Sequence, residues 1–214
     1  ENQIYPISNG VDTDIYVPRK VSLSRLRIKY KLPVDGSVFL YIGRLDADKN
    51  IETILRSLPQ VKQKIHMVIA GVGKQKERLL NLSRELGITN ITWIGEVQKQ
   101  AIIDLYQLAD VFVIMSPVET QSIVALQAIS CGLPLVAANA GALPELVDGI
   151  DAGDAGADDD DVEAGIARHV LHGAILSLWR SPTRLRVILI NSPSPVNWPP
   201  RIRSMQQAHV ADRR

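Results

Sequence analysis

From about residue 38 the apolar positions switch regularly between two periods. Val38-Phe-Leu-Tyr-Ile42 is an unbroken apolar run ending at Gly43, the pattern of a strand covered on both faces. Ile51, Ile54, Leu55 and Leu58 then recur at i, i+3, i+4 and i+7, which predicts an amphipathic helix. The alternation repeats. Met67-Val-Ile-Ala70 is a strand ending at Gly71, and Leu79, Leu80, Leu82 and Leu86 mark a helix that Gly87 can cap. Ile91-Thr-Trp-Ile94 is a strand closed by Gly95, and Ile102, Leu105, Tyr106 and Ala109 form a helical face. Val111-Phe-Val-Ile-Met115 is a fourth strand. A helix from about Ser122 to Ser130 and the strand Leu135-Val-Ala-Ala138 follow.

Apolar strands separated by helices imply a parallel sheet with both faces covered, and right-handed crossovers make it a Rossmann-like, doubly wound α/β structure. Ligands of such sheets sit at the carboxyl ends of the strands. Gly43, Gly71, Gly95 and Ser116 all lie at such ends. After Gly149 the character changes. Residues 151–161 are rich in Asp, Gly and Ala. All nine lysines precede residue 100, whereas the last 47 residues hold eight arginines and no lysine, so a composition boundary falls near residue 150. The chain divides into a linker-like segment (1–20), an α/β domain (21–150), and an acidic loop with an atypical, poorly ordered tail (151–214). Residues 161–180 suit a helix that Ser181-Pro182 would end. An ordinary surface loop with C-terminal helices and a degenerate or frame-shifted tail both fit this end.

Composition narrows the function. An apolar share of 46% supports a substantial core, and a net charge of +1 gives no electrostatic case for nucleic acid. The single Cys131 excludes an internal disulfide and fits a reducing, cytoplasmic compartment. No apolar run is long enough to span a membrane. The chain opens at Glu1 without a Met or a signal-like stretch, as expected of a fragment or a processed chain. His169 and His172 lack a third ligand, so a solvated helix face is expected and no metal site. Cys131 has no visible paired base and reads as a small buried residue.

The candidate chemistry lies at two strand ends. In Gly43-Arg44-Leu45-Asp46-Ala47-Asp48-Lys49 the glycine admits a ligand to the backbone. Arg44 offers a planar fork for phosphate oxygens, and Lys49 offers a point charge at the start of the next helix. A solvated charged face is the alternative. The segment from Ser116 to Pro134 runs strand end, polar loop, helix N-terminus and Gly-Leu-Pro exit, a layout that can cradle phosphate. It contains Glu119 and, eight positions on, Gln127.

These motifs, in this order, resemble the donor domain of the family-four retaining glycosyltransferases. Gly43-Arg44-Leu45 with Lys49 is similar to that family's diphosphate clamp, and Asn9-Gly10-Val11-Asp12 with Tyr16 and Pro18 to its interdomain segment. Ala70-Gly71-Val72-Gly73 and Ile94-Gly95-Glu96-Val97 are similar to its nucleotide-side loops. Tyr106, Ala109 and Asp110 are similar to its helix-to-strand junction. Glu119-Thr120-Gln121, Cys131-Gly132-Leu133-Pro134 and Leu143-Pro144-Glu145-Leu146-Val147 complete the series across residues 8–149.

The resemblance implies one half of a GT-B fold, in which two Rossmann-like domains face across a cleft. The activity it implies is transfer of a sugar from a nucleoside diphosphate to an acceptor, with retention of configuration and without a metal. Arg44 and Lys49 would neutralise the diphosphate, and Glu119 would accept hydrogen bonds from the donor sugar. Gly43, Gly71, Gly73 and Gly95 would let the donor approach the backbone. The N–H groups of Gln121, Ser122 and Ile123 would meet phosphate. Gln127 stands where the family has a second glutamate for the ribose, so geometry is expected to survive and affinity to fall. Ser122 and Ala142 replace usual glycines, and their Cβ atoms are expected to crowd ligand or backbone. The partner implied is a missing N-terminal acceptor domain. In similar enzymes that half usually carries any contact with the cytoplasmic face of a membrane. Two further readings stand beside this one. A non-catalytic nucleotide-sugar-binding module is one. A sugar-nucleotide epimerase is the other, for which no acid-base cluster is visible.

Overall fold

The computed structural model describes residues 10–146 and the strand Leu185–Ile188. In chain order the elements are α1 (Leu23–Lys29), β1 (Ser37–Ile42), α2 (Ile51–Ser57), β2 (Ile65–Ala70), α3 (Lys76–Glu85), β3 (Ile91–Gly95), α4 (Lys99–Leu108), β4 (Val111–Ile114), α5 (Ile123–Ser130), β5 (Leu135–Ala138) and β6 (Leu185–Ile188). The sheet order is β3-β2-β1-β4-β5-β6. β1 to β5 pair in parallel, with Phe39 opposite Met67 on one side and Val111 on the other. β6 adds to the edge antiparallel to β5. The chain first builds outward from β1 to β3, then returns to place β4 on the other flank of β1. That reversal is the topological switch point, where a crevice opens between loops diverging to opposite faces.

Alternation along each strand feeds two cores. Val38, Leu40 and Ile42 of β1 pack with Ile103, Leu105, Tyr106 and Leu108 of α4 and with Ala125, Ala128 and Ile129 of α5. Phe39 and Tyr41 face the other way, onto Ile51, Ile54 and Leu55 of α2 and Leu79 and Leu82 of α3. Burial of this kind is worth roughly 1.5–3 kcal/mol per large apolar side chain. Gly87 caps α3 as its position suggested, with its N–H on Arg84 O at 3.0 Å and that of Ile88 on Ser83 O at 2.9 Å. Asp110 joins α4 to β1 reciprocally: its N–H donates to Val38 O at 2.8 Å, and its Oδ2 accepts the Val38 N–H at 2.7 Å.

Three features depart from the pattern read along the chain. α1 was not expected; its seven residues bury none of their side chains fully, and Leu26 and Tyr30 only lean on the core. β2 begins two residues early, at Ile65, because Ser37 opposite it is already paired. β6 was read as part of an irregular tail, although Leu185-Arg-Val-Ile188 continues into an apolar run once Pro182 is passed. The expected helix over 161–180, with His169 and His172, lies outside the described residues.

Residues 10–20, before α1, pack on this domain. Tyr16 is buried and meets Tyr106 edge-on at 6.1 Å, and Ser130 Oγ donates to its carbonyl. Gln107 brackets the backbone beside it, accepting the Arg19 N–H at 2.7 Å and donating to Val17 O at 3.0 Å. Among the described residues no helix is long and apolar enough to cross a membrane.

His66 gives the domain a pH dependence. Its Nε2 meets Thr92 Oγ1 at 2.8 Å between β2 and β3, and burial, with Arg27 nearby, holds its pKa below the ordinary histidine value. The folded state therefore prefers the neutral ring. Stability from this site is complete above the unfolded pKa of about 6.5 and is lost as pH falls through the lower folded value. Urea midpoints at pH 7.5 and 5.5 should show the loss in the natural chain and less of it in His66→Gln.

Candidate functional site

The loops after β1, β2 and β3 extend the sheet's hydrogen bonding beyond the strands. Gly43 N–H donates to Ala70 O at 3.0 Å, Leu45 N–H to Val72 O at 2.9 Å, Gly71 N–H to Gly95 O at 2.6 Å, and Gln75 N–H to Leu45 O at 2.8 Å. Backbone lies against backbone here. Gly71 has φ +144°, and a Cβ on it would sit 1.9 Å from Gly43 O. A Cβ on Gly73 would fall 2.5 Å from the main chain of Leu45. Both positions need glycine, for packing as well as for any approach of a ligand. Gly95 also has positive φ, +82°.

At the switch point the β1 loop is tied to the β4 loop. Ser116, fully buried, donates its hydroxyl to Asp48 O at 3.0 Å, and Asn50 Nδ2 donates to Met115 O at 3.3 Å. Across the same gap Lys49 Nζ donates to Glu119 Oε1 at 2.7 Å. Both side chains of that pair are mostly shielded, at 19% and 12% exposure. Burial by itself would lower the Lys49 pKa, but the hydrogen bond and charge of Glu119, with Asp48 beside it, outweigh that and leave it raised. The Glu119 backbone is fixed from a third side. Its carbonyl accepts the Ala142 N–H at 2.8 Å, and a Cβ on Gly141 (φ +59°) would come within 2.5 Å of the same oxygen.

Arg44 stands beside this pair and is 67% exposed. Its Nη1 donates to Asp46 Oδ2 at 2.5 Å, and its Nη2 lies 3.4 Å from Asp48 Oδ2. The other oxygen of Asp46 accepts the Lys74 N–H at 3.0 Å, which links Arg44 to the loop carrying Gly71 and Gly73. Tyr41 donates its hydroxyl to Arg44 O at 2.8 Å; burial, and then the charges of Glu119 and Asp48, raise its pKa, so it stays a neutral donor. The motif reading singled out the cations and passed over Asp46 and Asp48. The signal was in the sequence, as acids two and four positions after Arg44.

The α5 terminus shows how the two departures from glycine are accommodated. Ser122 takes φ −81° and ψ 97°, and its Oγ accepts the Ala125 N–H at 3.4 Å. That is the ordinary role of serine at a helix start, so its Cβ does not crowd the backbone. Ala142 is not at positive φ either; the left-handed residue of that turn is Gly141. Ile123, the first helical residue, is 45% exposed, and Gln121 is half-buried. Gln127 is engaged away from the Lys49–Glu119 pair. The Tyr106 hydroxyl shares its proton between Val124 O at 3.0 Å and Gln127 Oε1 at 3.2 Å. A neutral amide accepts that bond without a charge to desolvate. Cys131 is buried, and burial pushes its thiol up to about 12, too high for a nucleophile at neutral pH. Among the described residues no group of His, Cys, Asp and Glu is gathered to hold a metal ion.

A switched parallel sheet of this order is one Rossmann-like half of a GT-B fold. The profile of the family described as Glycosyl transferases group 1 matches residues 24–167, and the chain belongs to that family. It is 32% identical over 167 residues to the D-inositol 3-phosphate glycosyltransferase of Mycolicibacterium smegmatis, covering 72% of this chain and 38% of that protein. An uncharacterized glycosyltransferase of Methanocaldococcus jannaschii is 31% identical over 155 residues, covering 69% of this chain and 39% of that one. The chain thus spans under half the length of these relatives. Among solved structures, Anabaena HepE in complex with UDP-glucose superposes with a TM-score of 0.59 at 26% identity, over 66% of this chain and 40% of that one. The C-terminal domain of a group 1 glycosyl transferase, LpcC of Francisella tularensis, shares the fold with a TM-score of 0.58 at 21% identity, over 80% of this chain and 92% of that one.

Two outcomes follow from the geometry. Gly71→Ala should destabilise the domain by about 2 kcal/mol or more, since a Cβ must push one loop off the other; urea unfolding measures it. Lys49→Met leaves Glu119 shielded without its partner and should cost about 1–3 kcal/mol, the range for an acceptor left unsatisfied, with Glu119→Gln in the same background recovering part of it.

Proposed function

We propose that this chain is the donor-binding half of a retaining glycosyltransferase that takes a nucleoside diphosphate sugar. The observation carrying the reading is the Lys49–Glu119 pair at the switch point, with Arg44 alongside. A diphosphate entering the crevice meets a guanidinium fork, an ammonium held protonated, and the first N–H groups of α5. As the bond to the sugar breaks, charge develops on the leaving phosphate. Fixed cations and amide dipoles stabilise that charge without reorganising, and this is expected to serve in place of a metal. Once phosphate draws Lys49 toward itself, Glu119 is released to accept hydrogen bonds from sugar hydroxyls. The UDP-glucose complex of HepE supports a nucleoside diphosphate sugar as the donor class. The acceptor would bind on the other half of the enzyme, so the chain alone binds nucleotide and does not sustain transfer. The site belongs with a cytoplasmic protein, or one working at the cytoplasmic face of a membrane.

A second reading, a non-catalytic nucleotide-sugar-binding module, is favoured by one contact. Gln127 gives its carbonyl to the Tyr106 hydroxyl at 3.2 Å.

Calorimetric titration of UDP and GDP into the 214-residue chain tests the first reading. One nucleotide should bind, and Arg44→Ala should weaken it at least about tenfold, for a lost charged hydrogen bond of 1.5–3 kcal/mol. No binding by a folded chain, or sustained glycosylation of an acceptor by the chain alone, would count against the proposal. Gln127→Glu separates the two readings: a large gain in nucleotide affinity marks a decayed site, and little change marks a tolerated substitution.

A further inference from the structure

One carboxylate oxygen touches both cations of the clamp. Asp48 Oδ2 lies 3.4 Å from Arg44 Nη2 and 3.4 Å from Lys49 Nζ. Each cation also has a closer acid, and both of those are anchored. Asp46 is held by the Lys74 N–H, and Glu119 lies at 12% exposure with its backbone pinned by Ala142. Asp48 differs. Its side chain is the most exposed of the three, at 37% against 19% for Asp46 and 12% for Glu119. Its two contacts are the longest in the cluster. Its main chain is fixed through the Ser116 hydroxyl, so the carboxylate can turn outward while the loop stays in place.

An anionic oxygen shared by a guanidinium and an ammonium is what a bridging phosphate oxygen would be. We propose that Asp48 is a built-in counter-ion that fills the phosphate position of the free protein and must be displaced by the donor diphosphate. The inference rests on the reading of Arg44 and Lys49 as the diphosphate clamp. A tethered carboxylate competes at the high effective concentration of an intramolecular ligand. Every incoming anion therefore loses the same increment of affinity. A nucleoside diphosphate sugar, with base, ribose and sugar contacts in addition, still binds. Inorganic anions, which have the charge contacts alone, fall below a useful affinity. Asp48 thus sets the threshold that separates donors from bulk phosphate, without touching the donor itself.

The test is calorimetry on Asp48→Asn, with Asp48→Ser as a second neutral variant and Glu77→Gln on α3 as a control for a charge that pairs with neither Arg44 nor Lys49. The ligands are inorganic pyrophosphate and whichever of UDP or GDP binds the natural chain. Removing the competitor should tighten both ligands by the same factor, roughly threefold to fivefold for an exposed ion pair, and Glu77→Gln should do much less. Unchanged or weaker binding in both Asp48 variants, with melting temperatures like the natural chain, overturns the inference. So does an equal gain in Glu77→Gln, which would make the effect one of net charge. If Arg44→Ala abolishes binding while the Asp48 variants change nothing, only this inference fails. If no ligand binds any variant, the clamp reading fails with it.

Discussion

The main chain of one loop rests directly on the main chain of the next at the carboxyl edge of the sheet. Gly71 lies under the Gly43 carbonyl and Gly73 against Leu45, with hydrogen bonds running across from residue 43 to residue 95. Such contact leaves no room for side chains between the loops, and it makes the sheet edge as stiff as the sheet. Arg44 and Lys49 are carried on the loop clamped in this way. Their reach toward a common point is set by backbone that cannot drift, which is what electrostatic stabilisation of a leaving group requires.

Stiffness below is combined with exchangeable pairing above. Every cation of the clamp is matched by a carboxylate: Arg44 with Asp46 and Asp48, Lys49 with Glu119 and Asp48. Lys49 and Glu119 are mostly shielded, and leaving either unpaired would cost about 1–3 kcal/mol. The free protein avoids that cost internally, and under the proposed reading a phosphate ligand would substitute one set of anions for another. Of these pairs, Lys49–Glu119 joins the β1 loop to the β4 loop across the switch point.

The periphery is organised around Tyr106. Its ring lies between Tyr16, met edge-on, and Phe112, met at a tilt, and its hydroxyl holds α5 through Val124 and Gln127. The segment from residue 10 to 20 is attached by the same residue and by Gln107, so the direction in which the chain enters the domain is a property of the α4–α5 face.

Much was legible along the chain. The five parallel strands and the helices between them follow from apolar runs and 3.6-residue periods, because burial on two faces demands those patterns. Arg44 and Lys49 stood out as charges placed after a strand end, whereas Glu119 stood out only through the resemblance of its motif. The weakly buried α1 left a fainter pattern, since little of its surface is needed by the core. Pairing was decided only by the folded chain. That Lys49 meets Glu119 seventy residues away, that Asp48 sits between two cations, that Gln127 answers to Tyr106, and that Ser122 is a cap and no intrusion depend on which loops the sheet order brings together. Periodicity records which face of an element is buried; it carries no record of the partner across a gap, which is set by strand order and loop geometry in three dimensions.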